Sequence, residues 1–280
     1  MGPPIFRGYD RAGLDREYDN RTKVPGFDFV AFLAQCERAS EAARRRHDCV
    51  LDVPYGASPA ERLDIFRAET PGAPVHVFFH GGYWRMLDKQ DFSYVADGLV
   101  PHGTTVVVVN YALIPGVDMA ELVAQCRRAL QWVAGNIAAH GGDPDRISVS
   151  GHSAGGHIVA MLLAGDTPAL TRACALSGIF ELEPIRLGFL NEVLGLRPED
   201  VARHSPRFLP RRQWCPLTLA VGASEGDEYL RQSEEFGQAW SGAADRPKVL
   251  ALPGQDHFSI RAQLGDPESE VVRLVLGQAS

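Results

Sequence analysis

Short apolar runs alternate with stretches of helical periodicity over most of this 280-residue chain. Val75–Phe79 and Thr104–Asn110 are continuous apolar runs, a pattern typical of strands that are buried on both faces of a parallel sheet. Similar short runs predict strands at Cys49–Val53, Arg62–Phe66, Arg146–Ser150, Arg172–Ser177, Leu217–Val221 and Lys248–Leu252. The first two of these flank a turn at residues 54–56, so we expect them to pair antiparallel.

Helical periodicity fills most of the intervals between the predicted strands. The pattern predicts helices at Phe92–Val100, Asp118–Ala139, Ala154–Ala164 and Pro267–Leu276. Strands that alternate with helices, joined by right-handed crossovers, form a mostly parallel sheet with helices on both faces. We therefore predict an α/β fold built on one eight-stranded, mostly parallel sheet.

Two segments fall outside this alternation. Residues 1–46 begin rich in charge and become helix-like from Phe27 to Arg46, which predicts a helical N-terminal extension packed on the main domain. The stretch from Glu181 to Cys215 is too long for a simple connection, so we expect a small helical cap there, at residues 181–215. A chain of this length can bury a full core, and residues 1–280 are expected to form one domain.

Composition and charge exclude several classes of protein. The 28 basic and 35 acidic side chains give a formal net charge of −7, and the basic clusters are short, so no nucleic acid partner is expected. No stretch approaches the ~18 apolar residues of a membrane span, and the N-terminus lacks the apolar core of a secretion signal. The five cysteines show neither metal-site nor disulfide spacing. We expect a cytoplasmic protein with a small-molecule substrate; its oligomeric state, a homodimer included, stays open.

A strand, a tight turn and a helix follow one another at residues 146–164. Arg146–Ser150 leads into the sequence GHSAG at residues 151–155, and a helix rich in small residues comes next. This is the context of a nucleophile elbow, a sharp turn that exposes a serine at the end of a strand. Side chains in place of Gly151 or Gly155 would collide with neighbouring backbone. Ser153 is therefore the candidate nucleophile.

A pair of glycines follows the predicted strand Val75–Phe79, in the sequence HGGYW at residues 80–84. Without side chains, Gly81 and Gly82 leave their backbone amides free to approach a ligand. Together with the amide of Ala154, just after the candidate nucleophile, these amides are expected to form an oxyanion hole.

The next two residues of the same loop are aromatic. Tyr83 and Trp84 lie beside the glycines in the sequence, and we expect both to line the substrate pocket.

Three histidines follow Ser153 in the chain and are candidates for the general base. His157 belongs to the helix of the elbow, and His204 belongs to the predicted cap. His257 follows the last predicted strand in a loop, which is the position expected of the base when the chain order is serine, acid, histidine.

The acid that orients the base is expected after the preceding strand. Glu225 lies three residues past Gly222, where many hydrolases of this class place their acid, and we favour it. Asp227 is the alternative, with a helix expected to start just after it, and Glu228 is a third candidate. Either type of carboxylate can accept a hydrogen bond from imidazole, so the chemistry does not choose between them.

These motifs, in this order, resemble an α/β-hydrolase of the hormone-sensitive-lipase-like esterase group. With EYDNR at residues 17–21 and EYLRQS at residues 228–233, the HGGYW string is similar to kynurenine formamidases, or arylformamidases. The resemblance covers nearly the whole chain and implies a serine hydrolase that needs no cofactor and no metal, with N-formylkynurenine or a similar aryl formamide as substrate. That family usually has Asp where Glu225 stands.

Two other functions are compatible with the same residues. A general short-chain carboxylesterase would use the same nucleophile and base on alkyl or aryl esters. A catalytically inactive α/β-hydrolase would serve as a binding module. A fluorophosphonate probe distinguishes the inactive protein from both enzymes, because only an activated serine reacts with it.

Overall fold

One eight-stranded sheet runs through the computed structural model, which describes residues 2–242 and 246–278. The strands are, in chain order, β1 (Cys49–Pro54), β2 (Arg62–Phe66), β3 (Ala73–Phe79), β4 (Thr105–Val109), β5 (Gly142–His152), β6 (Arg172–Leu176), β7 (Leu217–Gly222) and β8 (Lys248–Leu252). Their order across the sheet is β1-β2-β4-β3-β5-β6-β7-β8. The strand β2 is antiparallel to β1 and to β4, and all other neighbours are parallel. The predicted sheet is confirmed.

Helices connect most of the strands. Within the described residues they are α1 (Arg11–Tyr18), α2 (Phe29–Arg46), α3 (Val95–Leu99), α4 (Met119–Asn136), α5 (Ala154–Leu163), α6 (Glu183–Leu187), α7 (Asn191–Leu194), α8 (Pro198–His204), α9 (Asp227–Ala239), α10 (Ser259–Ala262) and α11 (Glu270–Leu276). None of the helices in this part of the chain is long and apolar enough to cross a membrane.

Both faces of the sheet are buried. Val77 and Phe79 of β3 belong to an apolar cluster that also contains residues of α4 and α5. Phe78, between them, belongs to a second cluster with residues of α3 and α11. Because successive strand residues point to opposite faces, a sheet that is covered on both sides requires continuous apolar strands. This explains why the central strands were predictable from their composition alone.

One predicted helix is wrong in form. The pattern at Phe92–Val100 predicted a single helix, whereas the chain forms α3 between two 3-10 turns, at Lys89–Phe92 and Val100–His102. The side chain of Asp88 caps the first turn, and Pro101 lies within the last. Pro101 has no backbone N–H to continue the α-helical hydrogen bonds, so α3 gives way to a 3-10 turn after Leu99.

The N-terminal extension and the cap segment are in contact. The carboxylate of Asp15 in α1 accepts a hydrogen bond of 2.7 Å from the backbone amide of Phe189, between α6 and α7. Arg11 also forms an ion pair with Glu192, at 3.1 Å. The two segments that were set apart in the sequence therefore meet in the fold.

A buried ion pair connects β2 to the turn that precedes α3. Lys89 Nζ lies 2.9 Å from Oδ1 of Asp64, whose side chain is 1% exposed. The backbone amide of Asp52 donates to the same carboxylate, at 2.8 Å. The carboxylate is thus satisfied although it is removed from water.

Removing the lysine should destabilise the protein, because it leaves a buried carboxylate without its cation. We expect Lys89→Met to lower the free energy of unfolding by about 3 kcal/mol at neutral pH. Arg197→Met is the control, because the Arg197 side chain is 64% exposed in its ion pairs with Glu199 and Asp200, and its loss should cost less than about 1 kcal/mol. Urea denaturation measures both values, and equal losses would contradict the assignment.

Candidate active site

Ser153 stands at a strained turn between β5 and α5. Its backbone has φ +59° and ψ −118°, a conformation that non-glycine residues rarely adopt. Its amide donates to the carbonyl oxygen of Leu176 in β6 at 2.8 Å, and its carbonyl accepts from the amide of His157 at 3.1 Å. These bonds hold the turn in the geometry of a nucleophile elbow.

The glycines around Ser153 are required by the close approach of β3, β5 and α5. A Cβ atom built on Gly151 would lie 2.3 Å from the carbonyl oxygen of Gly155. A Cβ atom on Gly155 would lie 1.9 Å from the carbonyl oxygen of Phe79. No side chain fits either position, so the collision expected from the sequence is present in the structure.

His257 follows β8 and is held by Glu225. Its Nδ1 lies 2.6 Å from Oε2 of Glu225, a residue that is 1% exposed. The other carboxylate oxygen accepts hydrogen bonds from Ser177 Oγ at 2.5 Å and from the amide of Gly222 at 2.6 Å. In the neutral tautomer whose Nδ1–H donates to Glu225, Nε2 carries the lone pair that a general base requires.

The three candidate acids differ in their exposure and in their hydrogen-bond partners. Asp227 is exposed and begins α9, so its carboxylate is solvated. Glu228 is buried, but its carboxylate accepts from the Tyr18 hydroxyl at 2.8 Å and pairs with Arg231. Only Glu225, of these three, is hydrogen-bonded to His257.

The other two histidines after Ser153 are occupied elsewhere. Burial lowers the pKa of His157 to about 3, so the ring is neutral. Its Nδ1 accepts from Trp84 Nε1 at 3.2 Å, and its Nε2 donates to the carbonyl oxygen of His204 at 2.8 Å. His204 in turn lies in α8, where its Nδ1 bonds to the carbonyl oxygen of Asp200.

The loop that carries Gly81 and Gly82 lies directly against the elbow. A Cβ atom on Gly81 would be 2.8 Å from the carbonyl oxygen of His152 and 3.1 Å from Cβ of Ser153. Gly82 has a φ of +115°, which L side chains rarely adopt. Ala154 is the first residue of α5, and amides at a helix N-terminus have no partner within the helix. The structure thus brings together the three residues expected to form an oxyanion hole.

Tyr83 and Trp84 point in different directions. Tyr83 lines the pocket beside Ser153, as expected. Trp84 is fully buried in the core, where its ring contacts His157 edge-on with centroids 5.0 Å apart. The expectation that Trp84 lines the substrate pocket is therefore wrong. Both residues have positive φ, 49° and 59°, and at such a tight turn neighbouring side chains diverge.

A cavity of about 210 Å³ opens in front of Ser153 and His257. The N-terminal extension contributes Tyr18, Asn20 and Phe29 to its walls, and the segment between α6 and α7 contributes Phe189 and Leu190. Phe258, after the candidate base, completes an aromatic side of the cavity. Both segments were predicted from the sequence, but none of the cavity residues within them was.

Lys23 ties the N-terminal extension to the candidate acid. Its Nζ donates to the main-chain carbonyl oxygen of Glu225 at 2.6 Å and to that of Glu17. Burial lowers the pKa of Lys23, and the Glu17 carboxylate acts in the opposite direction. The backbone that positions the acid is therefore held by a residue about 200 positions earlier in the chain.

Ser177 is a further site residue, and it was not predicted from the sequence. It follows β6, at the sheet edge where the carboxyl ends of β5, β6 and β7 meet. Polar residues just after parallel strands converge at that edge, and this rule could have indicated it.

Comparison with known proteins agrees with this geometry. The family model described as BD-FAE matches residues 63–175. The kynurenine formamidase of Danio rerio is 34% identical over 259 residues, which are 88% of this chain and 87% of that protein. The kynurenine formamidase of Salmo salar is 32% identical over 254 residues, covering 86% of this chain and 85% of that protein. Esterase LipQ of Mycobacterium tuberculosis is 38% identical over 126 residues, or 42% of this chain and 30% of its own.

Solved structures share the fold. A protein of Silicibacter sp. TM1040 has a TM-score of 0.85 at 26% identity, covering 94% of this chain and 98% of its own. Esterase LipW of Mycobacterium marinum has a TM-score of 0.71 at 19% identity, covering 89% of this chain and 86% of its own. The α/β-hydrolase fold expected from the sequence is confirmed.

The choice of acid is testable by two matched substitutions. Glu225→Gln should lower kcat by about 10³-fold, because the amide can present its NH₂ to Nδ1 and stabilise the wrong tautomer of His257. Asp227→Asn should change kcat by less than about threefold, because Asp227 is solvated. The measurement is kcat of both purified variants on one substrate. A larger loss for Asp227→Asn than for Glu225→Gln would assign the role of the acid to Asp227.

Proposed function

Because this chain belongs to the kynurenine formamidase family, we propose that it hydrolyses the N-formyl amide of an aromatic amine, N-formylkynurenine or a close analogue. The observation that carries the proposal is that His257, hydrogen-bonded to the buried Glu225, lines the same pocket as the strained Ser153. Strained backbone that the fold holds in place is a property of functional sites. The reaction would be acyl transfer through a formyl-enzyme on Ser153.

The proposed mechanism follows the positions of these groups. Nε2 of His257 removes the proton of Ser153 as Oγ attacks the formyl carbon, and Glu225 stabilises the imidazolium through Nδ1–H. The amides of Gly81, Gly82 and Ala154 donate to the oxyanion of the tetrahedral intermediate. His257 then donates its proton to the leaving nitrogen, the C–N bond breaks, and the arylamine departs. Water, activated by His257, attacks the formyl-enzyme and releases formate and free Ser153.

The shape and lining of the cavity support an aryl leaving group. Phe29, Tyr83 and Phe258 present aromatic surface beside the candidate triad. Aromatic rings pack favourably against such surfaces in stacked or edge-on geometry. Formyl is the smallest acyl group, so it needs little space near the oxyanion loop. The aryl ring of the leaving group can then occupy the remainder of the cavity.

A short-chain carboxylesterase is the second candidate. The local similarity to Esterase LipQ favours it, because that protein is named as an esterase. The same Ser153, His257 and Glu225 would carry the reaction, with an alcohol in place of the amine as leaving group. A binding module without activity is the third, and it would leave Ser153 unreactive.

We also propose a cytoplasmic location. The thiols of Cys36, Cys49, Cys126 and Cys174 are free, as expected in a reducing compartment.

Loss of either member of the nucleophile and base pair should abolish turnover. We expect Ser153→Ala and His257→Ala each to lower kcat by at least about 10³-fold while the circular dichroism spectrum stays that of the native protein. Ser153→Ala should also lose labelling by a fluorophosphonate. A folded Ser153→Ala protein that retained substantial turnover would disprove the assignment of the nucleophile.

The acyl group distinguishes the two enzymatic functions. For formyl, acetyl and butyryl derivatives of one aniline, kcat/KM should fall steeply from formyl to butyryl if the site is built for formamides. An esterase with an apolar acyl channel would instead gain roughly 0.8 kcal/mol of burial for each added methylene. The matching phenyl esters are measured as well. An increase of kcat/KM from formyl to butyryl would reject the formamidase function and support the carboxylesterase. Turnover of N-formylkynurenine itself completes the comparison.

A further inference from the structure

The cavity in front of Ser153 carries positive charge that the proposed mechanism does not use. Three arginines and one aspartate line it: Arg21, Arg85, Arg261 and Asp19. Asp19 and Arg21 form an ion pair with each other, at 3.2 Å. Neither of the other two arginines forms an ion pair with a carboxylate in the described part of the chain, and each has a buried nitrogen without a hydrogen-bond partner there. The cavity walls therefore hold two guanidinium groups that lack a counter-ion.

Arg261 is the more deeply buried of these two arginines. It follows His257 by four residues, in α10, and it is 3% exposed. Its Nε donates to the hydroxyl of Tyr94 at 3.2 Å, whereas Nη2 has no partner among the described residues. A guanidinium does not lose its proton inside a protein, so its burial is costly until an anion pairs with it.

Aromatic rings hold the Arg261 guanidinium in place. Its Cζ atom lies 4.2 Å from the ring centroid of Phe92 and 5.1 Å from that of Phe32. Such contacts compensate only part of the cost of removing a cation from water. The rings therefore fix the position of the charge without neutralising it.

The titratable neighbours of Arg261 do not neutralise it either. Burial raises the pKa of the Asp91 carboxyl, and both its bond from the amide of Asp88, at 3.0 Å, and the charge of Arg261 act in the opposite direction. Burial lowers the pKa of His152 well below its ordinary value, so that ring is neutral. Burial raises the pKa of the Cys36 thiol, which is neutral as well.

We propose that Arg261 binds a carboxylate of the substrate, so that the site selects aryl formamides with an anionic leaving group. This rests on the proposed function, because it names a chemical group on the substrate of that same reaction. The acyl part of a formamide is a formyl group and carries no charge, so the carboxylate must belong to the arylamine. Guanidinium is the side chain best suited to a carboxylate, since its N–H groups match both oxygens. Nη2 supplies at least one of these bonds.

The same cavity also offers an unpaired acceptor. Nδ2 of Asn20 donates to the hydroxyls of Tyr83 and Tyr229, each at 3.0 Å, which leaves Oδ1 as the remaining polar atom of the side chain. That oxygen is buried and has no hydrogen-bond partner among the described residues. Buried polar atoms are normally paired, and an acceptor here suits an N–H group but repels a carboxylate. The lining thus directs the anion of the substrate away from Asn20 and toward the arginines.

A carboxylate on the leaving group takes no part in bond breaking. Its charge is the same in the bound substrate and in the transition state, so Arg261 binds both states equally well. An interaction of this kind lowers KM and leaves kcat nearly unchanged. This split distinguishes a binding role from a role in the chemistry.

The test compares two formamides that differ only in the carboxylate. They are N-formylkynurenine and N-formylkynuramine, which carries hydrogen in place of the carboxylate. For the wild type we expect kcat/KM to be at least about 10-fold higher on N-formylkynurenine. For Arg261→Met we expect KM for N-formylkynurenine to rise about 10- to 100-fold with kcat changed less than about threefold, and kcat/KM for N-formylkynuramine to change less than about threefold.

Arg261→Lys keeps the charge but loses the planar fork of the guanidinium. It should therefore recover part of the loss on N-formylkynurenine. This variant and the wild-type comparison keep the test decisive if Arg261→Met does not fold, which its circular dichroism spectrum reports.

Arg44→Met is the matched control. Arg44 donates to the carbonyl oxygen of Gln90 at 2.7 Å and to Ser93 Oγ at 2.9 Å, so it also packs on the 3-10 turn that carries Phe92. It is not among the residues that line the cavity. Its loss should leave the ratio of the two kcat/KM values unchanged.

The outcomes separate this inference from the proposed function. If the wild type cleaves both formamides with equal kcat/KM, or if Arg261→Met impairs both equally, the inference is wrong while the function stands. A loss on N-formylkynurenine alone that appears in Arg85→Met and not in Arg261→Met would also contradict the assignment to Arg261. If the wild type cleaves neither formamide, the proposed function fails, and the inference fails with it.

Discussion

The close approach of β3, β5 and the first turn of α5 is the constraint on which the candidate active site depends, because it sets the positions of Ser153 and of the glycine loop. The backbone of Gly155 packs so closely against the carbonyl oxygen of Phe79 that no Cβ atom fits between them. The elbow and the glycine loop after β3 are therefore held side by side. Ser153 is forced into a conformation that it would not adopt alone, and its position relative to Gly81 follows from main-chain contacts rather than from flexible side chains. Interior packing at this density tolerates no added methyl group.

The second support of the site comes from outside the sheet. The carboxylate of Glu228 bonds to Tyr18 of the N-terminal extension and to Arg231, and Arg231 reaches Glu181 in the cap segment at 2.8 Å. A charge removed from water is costly unless it is paired, so this network fixes α9 relative to both segments. Lys23 then holds the carbonyl of Glu225 from the same extension. The extension therefore supports the candidate active site as well as forming a wall of the cavity.

More of the fold than of the candidate active site was predictable from the sequence. The central strands were predictable because both faces of the sheet are covered, and the tight turn at Ser153 was predictable because its neighbours must be small. Trp84 was assigned wrongly because its ring packs in the core against His157, a contact between residues 73 positions apart that no local pattern reveals. Tyr229 and Asn20 appeared in the sequence only as parts of family motifs. Their joint position depends on contacts between residues 209 positions apart, and periodicity carries no information at that range.

Those distant contacts also affect the order in which parts of the candidate active site assemble. Tyr18 and Glu228 are 210 positions apart, and Lys23 and Glu225 are 202 positions apart. Contacts of such separation close late, because a long loop must be ordered before any stabilisation follows. The extension makes some of its contacts with residues 83–93, as in the hydrogen bond from the Tyr83 hydroxyl to the carbonyl oxygen of Tyr18, but its contacts with Glu225 and Glu228 require the last third of the fold. A chain whose extension is undocked therefore keeps the main-chain contacts of the Ser153 turn and lacks the Lys23 support of the candidate acid.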